Sequence, residues 1–226
     1  MADKRYIILT GNYGSGKTEI ALNMAVKYAG SGKRVCLVDF DIVNPYFRSA
    51  ERKDMLVGHG VRVLMPTFAM SAVDIPALPA EIQSVFNSDE DVIIFDVGGD
   101  DTGAAALGVF EPSFKRERDK VTMLFVVNAC RPLSGTAEDT LDLMERVSER
   151  ARMKPDAIVN NTNTARDTEA ETVLEGQRVL REISEKTGLP IAMTVMTEDI
   201  AEKIGENTDG ERFILTPYMR PEWLDI

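Results

Sequence analysis

The stretch Gly11-Asn12-Tyr13-Gly14-Ser15-Gly16-Lys17-Thr18 fits the pattern G-x-x-x-x-G-K-[S/T], which describes a loop that cradles nucleotide phosphates. It follows the apolar run Tyr6–Thr10 and opens the helix-like segment Lys17–Ala29, which is the strand-to-helix context that the pattern requires. A chain of this length would contain the pattern by chance about one time in a hundred, given typical residue usage. The pattern therefore predicts a phosphate-binding loop between the first strand and the first helix.

Each residue type in this loop has a predicted role. The glycines let backbone N–H groups point inward at phosphate oxygens, and the start of the helix adds partial positive charge. We expect Lys17 to reach the β- and γ-phosphates and Thr18 to offer its hydroxyl to Mg²⁺. Residues 11–18 and the adjoining Glu19 are therefore predicted to bind the nucleotide, with Lys17 as a catalytic group. The alternative is a glycine-rich turn without a ligand.

The rest of the chain alternates between short apolar runs and amphipathic segments. Seven runs predict strands, and most are continuous in hydrophobicity, as strands buried on both faces are: Tyr6–Thr10, Arg34–Phe40, Val61–Met65, Val92–Val97, Val121–Asn128, Ala157–Asn160 and Ile191–Val195. Four segments predict helices: Lys17–Ala29, Ala77–Phe86, Thr136–Arg152 and Thr168–Thr187. The alternation predicts an α/β fold, a doubly wound and mostly parallel sheet with helices on both faces. No repeat or linker interrupts it, so we expect a single domain over residues 1–226.

Composition narrows the class of protein. The 226 residues carry 26 Lys and Arg against 37 Asp and Glu, a net charge of −11, which disfavours non-specific binding to nucleic acid or to anionic lipid. No apolar run approaches the length of a membrane span, and the N-terminus has no signal-peptide layout. The two cysteines, Cys36 and Cys130, indicate a reducing compartment. We therefore expect a cytoplasmic protein that does not bind a membrane.

Acidic side chains end predicted strands, where a parallel sheet of this kind binds its ligand. Asp96 ends an apolar run, which is the usual layout of a carboxylate that holds Mg²⁺ through water. Gly99 follows it and is expected to sense the γ-phosphate with its backbone N–H. Asp39 and Asp41 end the second predicted strand, and we assign them separate roles, one toward Mg²⁺ and the other toward the attacking water. Solvated acids at a strand end are the alternative for this pair.

Together these motifs resemble those of the MinD/ParA/CobQ branch of P-loop ATPases. The resemblance is carried by the phosphate loop, by Val38-Asp39-Phe40-Asp41 and by Asp96-Val97-Gly98-Gly99, and it covers roughly residues 6–217. It implies that Asp41 positions the hydrolytic water, as a catalytic residue, and that Asp39 lies nearer the metal, with Thr18 and Asp96. It also implies that Asn160, at the end of a later strand, contacts the base. A helix-capping turn is the alternative for Asn160.

The chain departs from this branch at the second position of the loop. There Asn12 replaces the signature lysine that reaches across a nucleotide-sandwich dimer. We therefore expect slow intrinsic hydrolysis, and we expect any ATP-dependent homodimer to rely on apolar or aromatic contacts such as Tyr46 and Phe47. Arg48 and Arg131 are candidate substitutes for the missing charge, and an ordinary surface or switch position is the alternative for each.

The identity of the base is predicted from a run of amides. The segment Asn160-Asn161-Thr162-Asn163 occupies the place of the GTPase motif N-K-x-D, with Asn163 where a guanine-selecting Asp would lie. An amide can serve either edge of adenine, whereas the N1–H and N2–H₂ donors of guanine favour a carboxylate. We therefore predict ATP rather than GTP, together with Mg²⁺.

Functions from different classes fit these motifs. The first is a Mg²⁺-dependent ATPase that acts as a nucleotide-driven switch on a partner protein of unknown identity. The alternative is an enzyme similar to CobQ and dethiobiotin synthetase that uses ATP to activate a small carboxylate, and the lack of clustered Arg and Lys near the strand ends favours the switch. A third is a binding module that barely hydrolyses ATP. Pro217 and Pro221 argue against a C-terminal membrane-targeting helix, and the roles of Asp100, Asp101 and Tyr46-Phe47-Arg48 stay open.

Overall fold

The computed structural model describes residues 4–40, 52–64, 80–99 and 101–219. Its strands are β1 (Tyr6–Gly11), β2 (Val35–Phe40), β3 (Val61–Leu64), β4 (Val92–Val97), β5 (Val121–Val127), β6 (Ala157–Asn160), β7 (Ile191–Met196) and β8 (Glu211–Ile214). Its helices are α1 (Lys17–Gly30), α2 (Lys53–Gly58), α3 (Ala80–Ser84), α4 (Asp101–Val109), α5 (Glu111–Arg116), α6 (Ala137–Ala151), α7 (Ala170–Thr187) and α8 (Glu198–Ile204). Asp41, the segment 46–48 and Asp100 lie outside the described residues.

The eight strands form one sheet in the order β3-β2-β4-β1-β5-β6-β7-β8. Every pairing between neighbouring strands is parallel. The chain moves outward from β1 in both directions, which is the doubly wound arrangement that the alternation of strands and helices predicts. The predicted fold class is therefore confirmed, and the sheet is parallel throughout rather than mostly parallel.

Both faces of the sheet are covered, which explains why its central strands are continuously apolar. Side chains of a strand alternate between faces, so Ile8 and Phe95 pack with residues of α4, α5, α6 and α7 on one face. Ile7 and Ile94, one position earlier in each strand, pack with α1 on the other face. Burying both faces leaves the strand ends as the place where polar side chains can meet a ligand.

All seven predicted strands are present, and the eighth strand was not predicted. β8 is short, and of its residues only Phe213 is buried, so it lacks the apolar run that marks the others. Helices α2, α4, α5 and α8 were missed as well, because each is short. The predicted helix Ala77–Phe86 corresponds to α3 and a following 3₁₀ turn over Val85–Asn87, while residues 77–79 lie outside the described part of the chain.

The strand order brings together four loops at the carboxyl-terminal edge of the sheet. β1 lies between β4 and β5, and β6 lies beside β5, so the segments that follow these strands are neighbours. They contain the phosphate loop, Gly99, Asn128 and the run Asn160–Asn163. Among the described residues, no helix combines the length and the apolarity that a membrane span requires.

Candidate functional site

The phosphate loop joins β1 to α1 at the centre of the sheet. The backbone N–H of Ser15 donates to the carbonyl of Asn12 at 3.2 Å, and the N–H of Ile20 donates to the carbonyl of Gly16 at 3.1 Å, so the loop turns directly into the helix. Gly16 has a φ of 87°, and a Cβ atom there would lie 2.2 Å from Nδ2 of Asn161. Only glycine fits at this point, because a side chain would displace the asparagine that lies against the loop.

Two buried polar side chains of the loop fit an anion. Lys17 is only 6% exposed, and its Nζ donates to the carbonyls of Gly11 at 3.1 Å and Asn12 at 2.8 Å. Ser15 is fully buried, and its Oγ has no hydrogen-bond partner among the described residues. A buried hydroxyl without a partner costs about 1–3 kcal/mol. A phosphate oxygen in the loop would give Ser15 a partner and would meet the charge of Lys17.

The tip of the loop meets the segment that follows β4. Tyr13 is 65% exposed at this tip. A Cβ atom at Gly99 would lie 2.5 Å from the backbone nitrogen of Tyr13, so Gly99 packs directly against the loop. The position fits the predicted role of Gly99 at the γ-phosphate, because the contact puts its backbone beside the loop that would hold that phosphate. Contact of either residue with a nucleotide stays a prediction.

Asn12, which replaces the signature lysine, points toward the segment after β5. Its Nδ2 donates to the carbonyl of Pro132 and, at 3.3 Å, to Oγ of Ser134. Ser134 Oγ in turn donates to the carbonyl of Asn128 at 2.8 Å, and both Asn12 and Ser134 are buried. Asn12 therefore ties the phosphate loop to the segment 128–134 of its own chain.

Four asparagines connect the ends of β5 and β6 with the loop. Asn161 donates from Nδ2 to the carbonyl of Ser15 at 2.6 Å. Asn128 accepts at Oδ1 from the N–H of Asn163 at 3.3 Å and donates from Nδ2 to the carbonyl of Asn163 at 3.1 Å. Asn160 is fully buried, donates to the carbonyl of Val173 at 3.1 Å and accepts from the N–H of Thr162 at 3.1 Å.

In this network Asn160 has a structural role that is separate from contact with a base. Nδ2 of Asn160 binds the carbonyl of Val173 inside α7, and Oδ1 binds the N–H of Thr162 in the turn after β6, so both polar atoms of the side chain are engaged with backbone groups. Contact between Asn160 and a base is not tested by these bonds and stays a prediction. Asn161 and Asn128 were not among the predicted site residues. Their position directly at the ends of β6 and β5 is the signal that identifies them.

The predicted metal ligands lie on the other side of β1. Asp39 on β2 and Asp96 on β4 are register partners of the parallel sheet, and they are 4% and 5% exposed. Thr18 lies in the first turn of α1, at the end of the phosphate loop. Two carboxylates and a hydroxyl are donors that suit Mg²⁺, which commonly takes its remaining ligands from phosphate and water. Among the described residues no three His, Cys, Asp or Glu side chains form a metal cluster, and this donor set does not need one.

Glu19 is committed to a contact that the sequence did not predict. Its two carboxylate oxygens accept the backbone N–H groups of Tyr218 at 2.7 Å and Met219 at 3.0 Å, so it holds residues 218 and 219 against α1. Burial raises the pKa of this carboxyl above its ordinary value, although the two N–H donors act in the opposite direction. A contact of Glu19 with the nucleotide stays a prediction, because both oxygens already have partners.

Asp101, whose role the sequence left open, is exposed in the first turn of α4. Asp41, the predicted water-positioning residue, lies one position beyond the described part of β2. The structure brings together Lys17, Thr18, Asp39, Asp96 and Gly99 around the end of β1.

Comparison with known proteins identifies the family to which the chain belongs. A family model described as the CobQ/CobB/MinD/ParA nucleotide binding domain matches residues 6–196. No curated protein matches the chain. Among solved structures, the cell division protein FtsY from Thermotoga maritima is 20% identical with a TM-score of 0.57, and chloroplast FtsY from Physcomitrella patens is 13% identical with a TM-score of 0.57.

Both FtsY structures align with 87% of this chain, and the aligned part is 63% and 60% of their own length. The chain thus spans about three fifths of these relatives, and at such identities the likeness shows the fold alone. The family match extends over residues 6–196, a range that contains the phosphate loop, both buried carboxylates and the asparagine network. The chain therefore belongs to the family of CobQ/CobB/MinD/ParA nucleotide-binding domains.

Proposed function

We propose that this protein is a Mg²⁺-dependent ATPase that acts as a nucleotide-driven switch on a partner protein. The observation that carries the proposal is the phosphate loop with its buried Lys17 and its unpartnered Ser15 hydroxyl, beside the two buried carboxylates Asp39 and Asp96. Membership of a nucleotide-binding family supports nucleotide binding and P-loop chemistry. The exposed, free Cys130 and the buried, free Cys36 are in keeping with a cytoplasmic location, which is part of the proposal.

The residues divide the work of hydrolysis. Lys17 and the loop N–H groups bind the β- and γ-phosphates, and Thr18, Asp39 and Asp96 would hold Mg²⁺. When bound, the ion would neutralise charge that develops on the phosphate oxygens. Asp41 positions the attacking water, and Gly99 responds to the γ-phosphate through its contact with the loop tip. Loss of the γ-phosphate would release the segment after β4. Hydrolysis would thereby change the surface that a partner protein binds.

ATP is the proposed nucleotide. FtsY from Elizabethkingia anophelis has been solved in complex with GDP, but its 20% identity to this chain gives no argument about the base that this chain binds. The preference rests on Asn163, whose Nδ2 donates to the carbonyl of Asn161 at 2.7 Å and whose Oδ1 accepts from the N–H of Ala165 at 3.1 Å. Both amide atoms of Asn163 are thus engaged with backbone groups, and the preference for ATP rests on the absence at this position of the carboxylate that favours guanine.

Calorimetric titration with Mg²⁺-ATP tests the binding part of the proposal. Lys17→Ala removes the buried cation of the loop, and we expect it to abolish detectable ATP binding. Lys154→Ala is the matched control, because Lys154 is exposed in the turn between α6 and β6, far from the loop in the sheet. Unchanged affinity in Lys17→Ala would refute the assignment of the site.

Affinity capture tests the switch. The protein is immobilised with ATP, with a non-hydrolysable analogue and with ADP, and a partner is expected in the triphosphate arms and not in the ADP arm. Equal capture in all arms would remove the switch from the proposal. A small carboxylate that stimulates turnover would replace it with the alternative, an enzyme that activates a carboxylate substrate.

A further inference from the structure

Arg131 is a cation beside the phosphate loop that takes part in none of the site contacts described above. Arg131 lies in the segment after β5, and a Cβ atom at Gly14 would be 3.6 Å from its Nε and 3.8 Å from its Cζ. The guanidinium group therefore lies next to the backbone of the loop. Because Gly14 has no side chain, nothing at this position separates the group from the loop surface.

The guanidinium of Arg131 is free to bind a ligand. It makes no hydrogen bond or ion pair with any described residue, although most other arginines of the described chain are paired with carboxylates or carbonyls. An arginine carries five N–H donors and remains charged at any pH that proteins tolerate. Its planar fork matches two oxygens of a phosphate group. An unpaired arginine against a phosphate loop is therefore equipped for a polyphosphate.

The segment that carries Arg131 is fixed in place. Asn12 donates to the carbonyl of the next residue, Pro132, and the hydroxyl of Ser134 donates to the carbonyl of Asn128 at 2.8 Å. Leu133 has a φ of 65°, a left-handed conformation that is costly for leucine and persists only where surrounding contacts impose it. These contacts hold the backbone of the segment, so Arg131 gains its place beside the loop without a side-chain partner of its own.

We propose that Arg131 binds the phosphates of the nucleotide in the same chain, and that Asn12 positions it there. This inference rests on the proposed function and deepens it. Asn12, which replaces the lysine of a dimer-crossing mechanism, does not supply a charge. It holds the segment that carries Arg131, and Arg131 supplies the charge within the same chain. The protein can then bind and turn over a triphosphate without a cation from a second copy.

The test compares Arg131→Gln, Arg131→Lys and the control Arg146→Gln, which removes the same charge from an exposed position on α6. We expect Arg131→Gln to weaken Mg²⁺-ATP binding tenfold or more and to slow turnover, as loss of a charge-assisted contact does. Arg131→Lys should recover part of the affinity, and Arg146→Gln should match the wild type. An Arg131→Gln protein within twofold of Arg146→Gln in both quantities overturns the proposal.

Mixing separates action within a chain from action between chains. Lys17→Ala retains Arg131, and Arg131→Gln retains Lys17, so an arginine that acts on a second copy would restore turnover when the two are combined. We expect no gain on mixing, and a gain would overturn the cis assignment. Asn12→Ala should weaken ATP binding in the wild type but have no further effect in Arg131→Gln, because the two act through one contact. Additive effects of the two substitutions would remove Asn12 from the proposal.

The same experiments show which inference fails. If Lys17→Ala abolishes ATP binding and Arg131→Gln does not weaken it, the site stands and the role of Arg131 is wrong. If Lys17→Ala leaves ATP binding unchanged, the proposed function itself is wrong, whatever Arg131 does. Thermal melting of each variant verifies that the exposed Arg131 can be replaced without unfolding the chain.

Discussion

The carboxyl-terminal edge of the sheet is built differently on the two sides of β1. On the side of β5 and β6, neutral side chains bind backbone groups of neighbouring loops: Asn12, Asn128, Ser134, Asn160, Asn161 and Asn163. On the side of β4 and β2, the buried polar groups are the carboxylates Asp39 and Asp96, adjacent in the register of the sheet. One side is a network of amides and hydroxyls, and the other is a pair of acids.

The difference follows from what each group costs when buried. An amide that satisfies its hydrogen bonds can be buried at little cost, so it is suited to fixing the shape of a loop. A buried carboxylate is expensive unless a cation or several donors compensate it, and proteins retain such groups where they bind metals or take part in chemistry. We infer that the amide side shapes the phosphate loop and that the acidic side carries the metal and the attacking water.

The acidic side should therefore affect turnover and not ATP binding. We expect Asp41→Ala to bind ATP normally and to hydrolyse it about 10²-fold more slowly, which is the scale of losing a base or a water-positioning group. Asp39→Ala, in contrast, should change the Mg²⁺ concentration needed for half-maximal turnover. Steady-state hydrolysis and calorimetry on the same preparations measure both effects, with Asp101→Ala as the control because Asp101 is exposed at the start of α4.

A reversed result would reassign the pair of acids. If Asp39→Ala binds ATP and loses hydrolysis while Asp41→Ala has no effect, the water-positioning role belongs to Asp39. If neither substitution changes turnover or its dependence on Mg²⁺, the acids are structural and the comparison between the two sides fails.

The amide side should affect ATP binding more than turnover. Asn161→Ala leaves the buried carbonyl of Ser15 without its 2.6 Å donor. We expect ATP affinity to fall about tenfold, since an unsatisfied buried group costs roughly 1–3 kcal/mol and 1.4 kcal/mol is a factor of ten. Turnover at saturating ATP should change less. Asn207→Ala is the control, because Asn207 is exposed after α8; equal affinity in the two variants would show that the loop does not depend on the amide.

The sequence predicted the acidic side better than the amide side. Asp39 and Asp96 end long apolar runs, and a charge after such a run is visible in the sequence. The bonds of Asn12 and Asn161 join residues that are more than a hundred positions apart, so no local pattern contains them. The phosphate loop predicted the central strand and helix in the same way, whereas β8 has one buried residue and no periodicity to reveal it. The positions of residues along strands were predictable from local pattern, and long-range pairing between loops was not.

The amide side also contains the residue that is predicted to select the base. We expect ATP to outcompete GTP on the order of fivefold, which is what a hydrogen bond of about 1 kcal/mol provides. Asn163→Asp should narrow this preference, and it should also cost stability because it removes the donor to Asn161. Competition of unlabelled ATP and GTP against a fluorescent ATP analogue measures the ratio. Equal or stronger GTP binding by the wild type would show that the interpretation of Asn163 is wrong.

Glu19 is an exception to the division between the two sides, because it is a carboxylate whose contacts hold a neighbouring segment in place. Burial raises its pKa above the ordinary value, so the folded chain binds a proton more readily than the unfolded chain does. The folded state then loses stability as pH rises through the interval from the ordinary pKa of 4.5 to the raised one. Glu19→Gln resembles the protonated carboxyl, with one acceptor and no charge, and it does not titrate.

The melting temperatures of the two proteins across pH therefore isolate this single group. Near pH 4 the wild type and Glu19→Gln should have similar melting temperatures, and as pH rises to 7 the melting temperature of the wild type should fall relative to that of Glu19→Gln. All other titrating groups are common to both proteins and cancel. A gap that widens in favour of the wild type would mean that the N–H groups of Tyr218 and Met219 outweigh burial, and a constant gap would mean that the two effects cancel. Glu19 would then stabilise the C-terminal segment as a charged acceptor, and buried charge at this edge of the sheet would not by itself indicate chemistry.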